Sequence, residues 1–327
     1  MSKDFATSIK SALLVTTALW AVGGIPAPAF AGSFSCTSTA SGEWTSAAIW
    51  SACNSAIPNN GGGNTYDATL ANSVALTGAD GPITIGNLTV NSGAQLLFDN
   101  TGPGGGDLTL TGNLVNASSG PFSEGGVDIG NGGMTTADLV TVHGSLTNTG
   151  AILNLTGGNQ AGATAQMQVT GAAPSTLTGT YNVVANKGGA VLNFGSGQIT
   201  TIGDNGSNAG DLYIDGANAA VESGGVAGNS ALTSLGTIAD NGQLDLRDGA
   251  SVTTSGGLAV AGGGNGRLAV DALGGQGGSS VTINGNLVNA SSGPFSQGGV
   301  AVGNANMSTA DQLTVNGNLT NTGAILN

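Results

Sequence analysis

The chain has 327 residues, 60 of them glycine, with charged residues at 7% and a formal net charge of −13. Five basic residues against 18 acidic ones give no electrostatic footing for binding nucleic acid or an anionic membrane. Glycine and proline together make 68 residues, below the ~25–30% that marks low-complexity disorder. There is no Gly-X-Y period, and Val, Leu and Ile recur throughout, so a continuous apolar core is available.

The chain opens with Lys3 and Lys10 beside a short apolar stretch, Ala12 to Val22. A break at Gly23-Gly24, turns at Pro26 and Pro28 and the small-x-small site Ala29-Phe30-Ala31 follow. This is the pattern of a secretory signal, residues 1–31, cleaved between Ala31 and Gly32, and the apolar run is too short to span a bilayer. The remainder carries three basic and 17 acidic residues, a formal charge of −14. Residues 32–63 hold both cysteines, Cys36 and Cys53, together with Trp44 and Trp50, and nothing like this segment recurs later. It reads as an N-terminal cap over the raw edge of a repeat array. In an exported chain the two thiols are expected to close into a disulfide.

From residue 64 onward, alternation at period two dominates: Ile83, Ile85, Leu88 and Val90, then Leu108, Leu110 and Leu114, then Leu244 and Leu246. No helical periodicity is sustained. Residues 108–154 align without a gap on 281–327, with 34 of 47 positions identical at a constant offset of 173. Shorter units recur inside these copies. Gly112-Asn113-Leu114-Val115-Asn116 returns as Gly144-Ser145-Leu146-Thr147-Asn148, and a related unit, Gly86-Asn87-Leu88, precedes the first by a somewhat shorter step. Strands this short bury an apolar side only by coiling and stacking. The expected fold is all-β, a right-handed parallel β-helix (β-solenoid) over residues 64–327. Asn116, Asn148, Asn289 and Asn321 occupy matching positions and are expected to stack between coils as amide ladders. The second copy stops in mid-pattern at Asn327, which predicts that the chain is a fragment truncated at its C-terminus.

Ala137-Asp138-Leu139-Val140-Thr141-Val142-His143-Gly144-Ser145-Leu146 and its counterpart from Ala310 to Leu319 resemble the coil motif of autotransporter passenger domains. The opening Gly42-Glu43-Trp44 through Trp50 to Ile57-Pro58 is similar to the start of many such passengers. The resemblance implies type V secretion and display at the cell surface or release outside the cell, often as an adhesin. It also implies a C-terminal outer-membrane β-barrel translocator downstream; none is legible in a chain with 4% aromatic residues.

Residues able to do chemistry are few. The lone His143 is replaced by Asn316 in the second copy, Glu124 by Gln297 and Asp128 by Ala301, so no catalytic residue and no cofactor is assigned. Asp138 and Asp311 are retained and read as capped turns, although an ion is a conceivable partner. Gly102-Pro103-Gly104-Gly105-Gly106-Asp107 faintly resembles the calcium-binding nonapeptide of toxin repeats, a device that works in tandem and occurs here once. Asp204, Asp211 and Asp215, with Asn205 and Asn208, are weak calcium candidates, because their spacing fits no calcium-loop template.

The expected function is that of an adhesin or structural stalk, with an extracellular ligand such as a glycan, a host protein or a neighbouring cell. The alternatives are a secreted β-helix polysaccharide-degrading enzyme, which would want carboxylates and arginines along one groove, or a self-associating matrix or surface-layer component.

Overall fold

The computed structural model describes residues 32–118, 126–149, 152–204, 209–225, 228–260, 264–292, 298–322 and 326–327. Residues 1–31, which the sequence leads us to expect as a secretory signal ending at Ala31, lie outside the described residues, as do Glu124, Asn205, Asn208 and Gln297. Among those described, no helix is long and apolar enough to cross a membrane.

The chain winds into a parallel β-solenoid. Each full coil contributes three short strands, one to each of three faces, and successive coils pair strand on strand. The central face is an unbroken ten-stranded sheet. At about 4.8 Å between neighbouring strands it extends roughly 45 Å along the axis. The first face is divided into two six-stranded sheets, and the third into a six-stranded and a three-stranded sheet.

Alternation explains the winding. Each strand turns one row of side chains inward, and parallel pairing puts like rows in register. On the central face the inward column runs Val74, Leu96, Val127, Leu153, Tyr181, Leu212, Leu244, Leu268 and Val300, none more than 2% exposed. A fully buried aliphatic side chain contributes about 1.5–3 kcal/mol, so the stacked columns, rather than any single coil, hold the fold together.

The repeat spacings are coil lengths. Leu88, Leu114 and Leu146, which hold the same place in three successive units of the sequence, pair in succession on the first face. Strand Asp107–Leu110 in the first copy and Ser280–Ile283 in the second lie on the same face, a whole number of coils apart. The duplication therefore preserves the phase of the winding.

Residues 32–63 both join the solenoid and cover it. Strand Ser33–Ser38 pairs in parallel with Thr65–Leu70, making it part of the first coil, while Trp50–Ser51 runs antiparallel along its outer edge. Trp44 is fully buried: its Nε1 donates to Pro58 O at 2.9 Å, and Trp50 Nε1 donates to Trp44 O at 2.8 Å. The indoles meet edge to face at 5.0 Å. A disulfide joins Cys36 on the first strand to Cys53 just beyond the antiparallel one, with Cα atoms 4.9 Å apart.

Two local events break the outer faces. On the third face, residues 228–231 fold back against 221–223, with Ala231 N donating to Val221 O at 2.9 Å and Ser223 N to Asn229 O at 2.8 Å. That occupies the edge which strand Ser251–Thr254 would otherwise use. On the first face, Asn148 Nδ2 donates to Thr180 O at 3.2 Å at the break between Leu146–Asn148 and Thr176–Leu177. Gly179 passes there at φ 81°, where a Cβ would lie 2.8 Å from Asn148 O, so the crossing needs glycine.

Candidate functional site

The outward side of the central sheet is mostly small and polar, except over three coils. Strand Gly210–Asp215 presents Asp211, Tyr213 and Asp215, and strand Gly242–Arg247 presents Gln243, Asp245 and Arg247, because each set is spaced by two on a strand with Leu212 and Ile214, or Leu244 and Leu246, turned inward. Register aligns Asp211 with Gln243 and then Arg267, Tyr213 with Asp245, and Asp215 with Arg247. Both arginines of the described residues thus share one face with three carboxylates, and Lys187, their one lysine, lies exposed in a turn elsewhere.

The side chains interlock. Arg247 Nη2 bonds Asp245 Oδ2 at 2.8 Å, its guanidinium lies 4.6 Å from the centroid of the Tyr213 ring, and the Tyr213 hydroxyl donates to Asp215 Oδ2 at 2.7 Å. Asp245 is 1% exposed although it faces outward, and its Oδ1 has no hydrogen-bond partner. Burial pushes its carboxyl up, against the pull of Arg247. Burial also raises Asp211, opposed by the charge of Arg267 and a bond from Thr180. The face is shaped into a cleft of about 390 Å³ bounded by Asn182, Asp211, Tyr213, Asp245, Arg247 and the half-exposed Leu273. Such a surface offers donors, acceptors and one apolar edge, and it is close to neutral because its two cations offset most of its carboxylate charge.

Larger clefts, about 520 and 470 Å³, flank the fold-back at 223–234; the first is walled mainly by Ser, Gly, Asn and Thr, the second about equally by these and by aliphatic side chains. Their one carboxylate, Glu222, is already engaged by Gly228 N at 2.6 Å and Asn193 Nδ2 at 3.3 Å.

Of the residues singled out in the sequence, Asp211 and Asp215 join this face, whereas Asp204 stands in the turn after strand Thr201–Ile202. Among the described residues no three His, Cys, Asp or Glu side chains gather as a metal cluster, so Asp204, Asp211 and Asp215 do not make a calcium site together. His143 is exposed just past strand Asp138–Val142, and Asn316 takes the same place after Gln312–Val315, donating from Nδ2 to Asn284 Oδ1 at 2.8 Å. Asp128 lies on the outward side, where Asn154 donates to it and Asn182 donates in turn to Asn154. Asp138 and Asp311 each accept a backbone N–H from the neighbouring coil, at 3.0 Å from Gly106 and 3.1 Å from Ser279.

Sequence reasoning missed Tyr213, Asp245, Arg247 and Arg267 as a group. The Asp-x-Tyr-x-Asp and Asp-x-Arg spacing was the available signal, but which coil meets which is decided by loop length. Compared with protein-family models, curated proteins and solved structures, the chain matches none.

Proposed function

We propose that this chain is the passenger-type portion of an exported bacterial surface protein, an adhesin whose contact surface is the outward face of the central sheet around Arg247. The solenoid carries that face on a rod, and the contact is with neutral, hydroxyl-rich ligands such as glycans. The observation that carries this reading is the in-register meeting of Arg247, Arg267, Tyr213 and Asp245 on a chain whose described residues hold one other lysine or arginine, Lys187. Paired carboxylate and guanidinium groups bind vicinal hydroxyls through several hydrogen bonds at once, with few residues needed. The strongly acidic remainder of the surface repels anionic polymers and disfavours them as ligands.

The test is binding of the purified chain to a panel of neutral and acidic glycans, beside adhesion of bacteria with and without the gene. Retention of neutral glycans that drops at least tenfold in Gln243→Ala or Arg247→Gln supports the reading. Equal adhesion with and without the gene removes it.

A second reading, a glycan-active enzyme, is favoured by the elevated carboxyls Asp211 and Asp245 next to arginines. Turnover of a polysaccharide that vanishes in Asp245→Asn while binding persists would establish it.

A further inference from the structure

At one corner of the solenoid, where the chain leaves the central face, the same arrangement of paired acids is built twice. In the first, Asp99 adopts φ 50° and turns its carboxyl under the loop 102–106 to within hydrogen-bonding reach of Asp138 from the next coil. In the second, Asp271 at φ 51° meets Asp311 in the same way. Asn131 and Asn304 pin the two corners alike: each donates from Nδ2 to the carbonyl of the positive-φ aspartate, at 2.5 and 2.6 Å. Asp99, Asp138 and Asp271 are at most 1% exposed, whereas Asp311 is half-buried, with its Oδ2 out of water.

Two carboxylates in contact and out of water cannot both stay ionised without a counter-charge. No lysine or arginine among the described residues faces the first pair. Charged side chains beside the second are Asp248, whose main-chain N–H bonds Asp271 Oδ1 at 3.0 Å, Asp245, which feels the charge of Asp271, and Arg247, which lies against Gly274 of the same loop but is paired with Asp245. No protein donor reaches Asp99 Oδ1, Asp99 Oδ2 or Asp138 Oδ2, and none reaches Asp271 Oδ2 or Asp311 Oδ2. These buried, unpartnered oxygens converge under glycine loops that leave them room. A Cβ at Gly102 would lie 2.3 Å from Asp99 Oδ1, and one at Gly106 2.6 Å from Asp99 Oδ2. At the second corner Gly275 leaves the same room beside Asp271 Oδ1, which accepts from the main-chain N–H of Asp248 and of Gly277 at 3.0 and 3.3 Å, while Oδ2 is left without a donor.

We propose that Asp99 with Asp138, and Asp271 with Asp311, are two matched calcium sites that clamp successive coils together. The donors are all hard oxygens, which excludes metals that want nitrogen or sulfur, and magnesium gives up its waters too reluctantly for so enclosed a position. This inference does not depend on the glycan-binding reading.

Equilibrium dialysis of the purified chain against calcium at pH 8 tests it, at the roughly 0.1–1 mM affinities typical of extracellular calcium modules. Two equivalents are expected to bind, one in Asp138→Asn or in Asp311→Asn, and none in the double variant. Asn mimics the protonated acid, so these variants are expected to fold. A thermal melt of the wild type should rise with calcium at pH 8 and not at pH 4, where protons neutralise the pairs. An absence of bound calcium at pH 8 would overturn the proposal and leave a shared proton as the neutralising charge. Equal binding by wild type and double variant would overturn it too.

Discussion

Asn116 and Asn148 lie directly over one another on adjacent coils, and the Nδ2 of the first donates to the Oδ1 of the second at 2.9 Å inside the first face. Asn116 also donates to Ile152 O at 2.8 Å, so one buried amide ties a coil to its neighbour at two points. Asn289 and Asn321 stand in the same register in the second copy. Asn116→Ala leaves a buried oxygen and a carbonyl short of a donor, and is expected to cost about 1–3 kcal/mol in urea unfolding. An unfolding midpoint indistinguishable from that of the wild type would show the ladder to be energetically idle.

The inward column of the central face predicts a sharp asymmetry between neighbours in sequence. Leu244→Ala opens a cavity among fully buried side chains and is expected to cost about 2–5 kcal/mol. Gln243→Ala, one position away on the outward row, is expected to stay within about 0.5 kcal/mol. Chemical denaturation of the two variants under identical conditions makes the comparison.

Stability is expected to fall as pH rises from about 4 to 7. Burial, the largest cause, together with the neighbouring acid, pushes the Asp138 carboxyl up to about 7 and that of Asp311 to about 6, against an ordinary 3.8. The folded chain therefore holds these protons more tightly than the unfolded chain. The stabilisation is complete below about pH 4 and is lost as pH climbs through 6 and 7. Melting temperatures taken across that range in a chelator should decline, and the decline should flatten in Asp138→Asn/Asp311→Asn.

Arg247 is predicted to matter for folding as well as for binding. Arg247→Ala strands the buried Asp245 carboxylate, at a cost of about 1–3 kcal/mol given the partial exposure of the arginine. Adding Asp245→Ala should recover much of that stability without restoring glycan retention. A double-mutant cycle in unfolding, read beside the binding assay, separates the two roles.

Reduction of the Cys36–Cys53 disulfide, or Cys36→Ser with Cys53→Ser, is expected to remove about 3 kcal/mol, the chain-entropy value for a loop of this size. The loss should appear as earlier opening of the first coil, because coils contact only their neighbours. Hydrogen exchange of residues 33–38 against residues 244–246 measures it.

Much of the architecture was legible in the sequence. The Leu88, Leu114 and Leu146 spacings are the coil lengths, the alternation gives the inward columns, and the asparagines of each copy do stack. The face around Arg247 was not legible. Arginines counted along the chain are too few to suggest a groove, and Arg247 and Arg267 belong to different coils. The partner of Asp138 was hidden for a related reason. Asp99 lies outside the duplicated segment, and its equivalent Asp271 falls one position short of the constant offset between the copies, so their alignment does not report the pair.

By itself the sequence determined that this chain coils. Period-two alternation, glycine-rich turns and an in-phase duplication admit no other way to bury so many short apolar rows. Tertiary structure alone decided which outward residues meet, because side chains on neighbouring coils are brought together by the length of the intervening loops. A slightly longer or shorter loop leaves the local pattern of each strand untouched. Whether Tyr213 lies under Arg247, and whether Asp99 reaches Asp138, are consequences of register between coils, and register is a property of the stack.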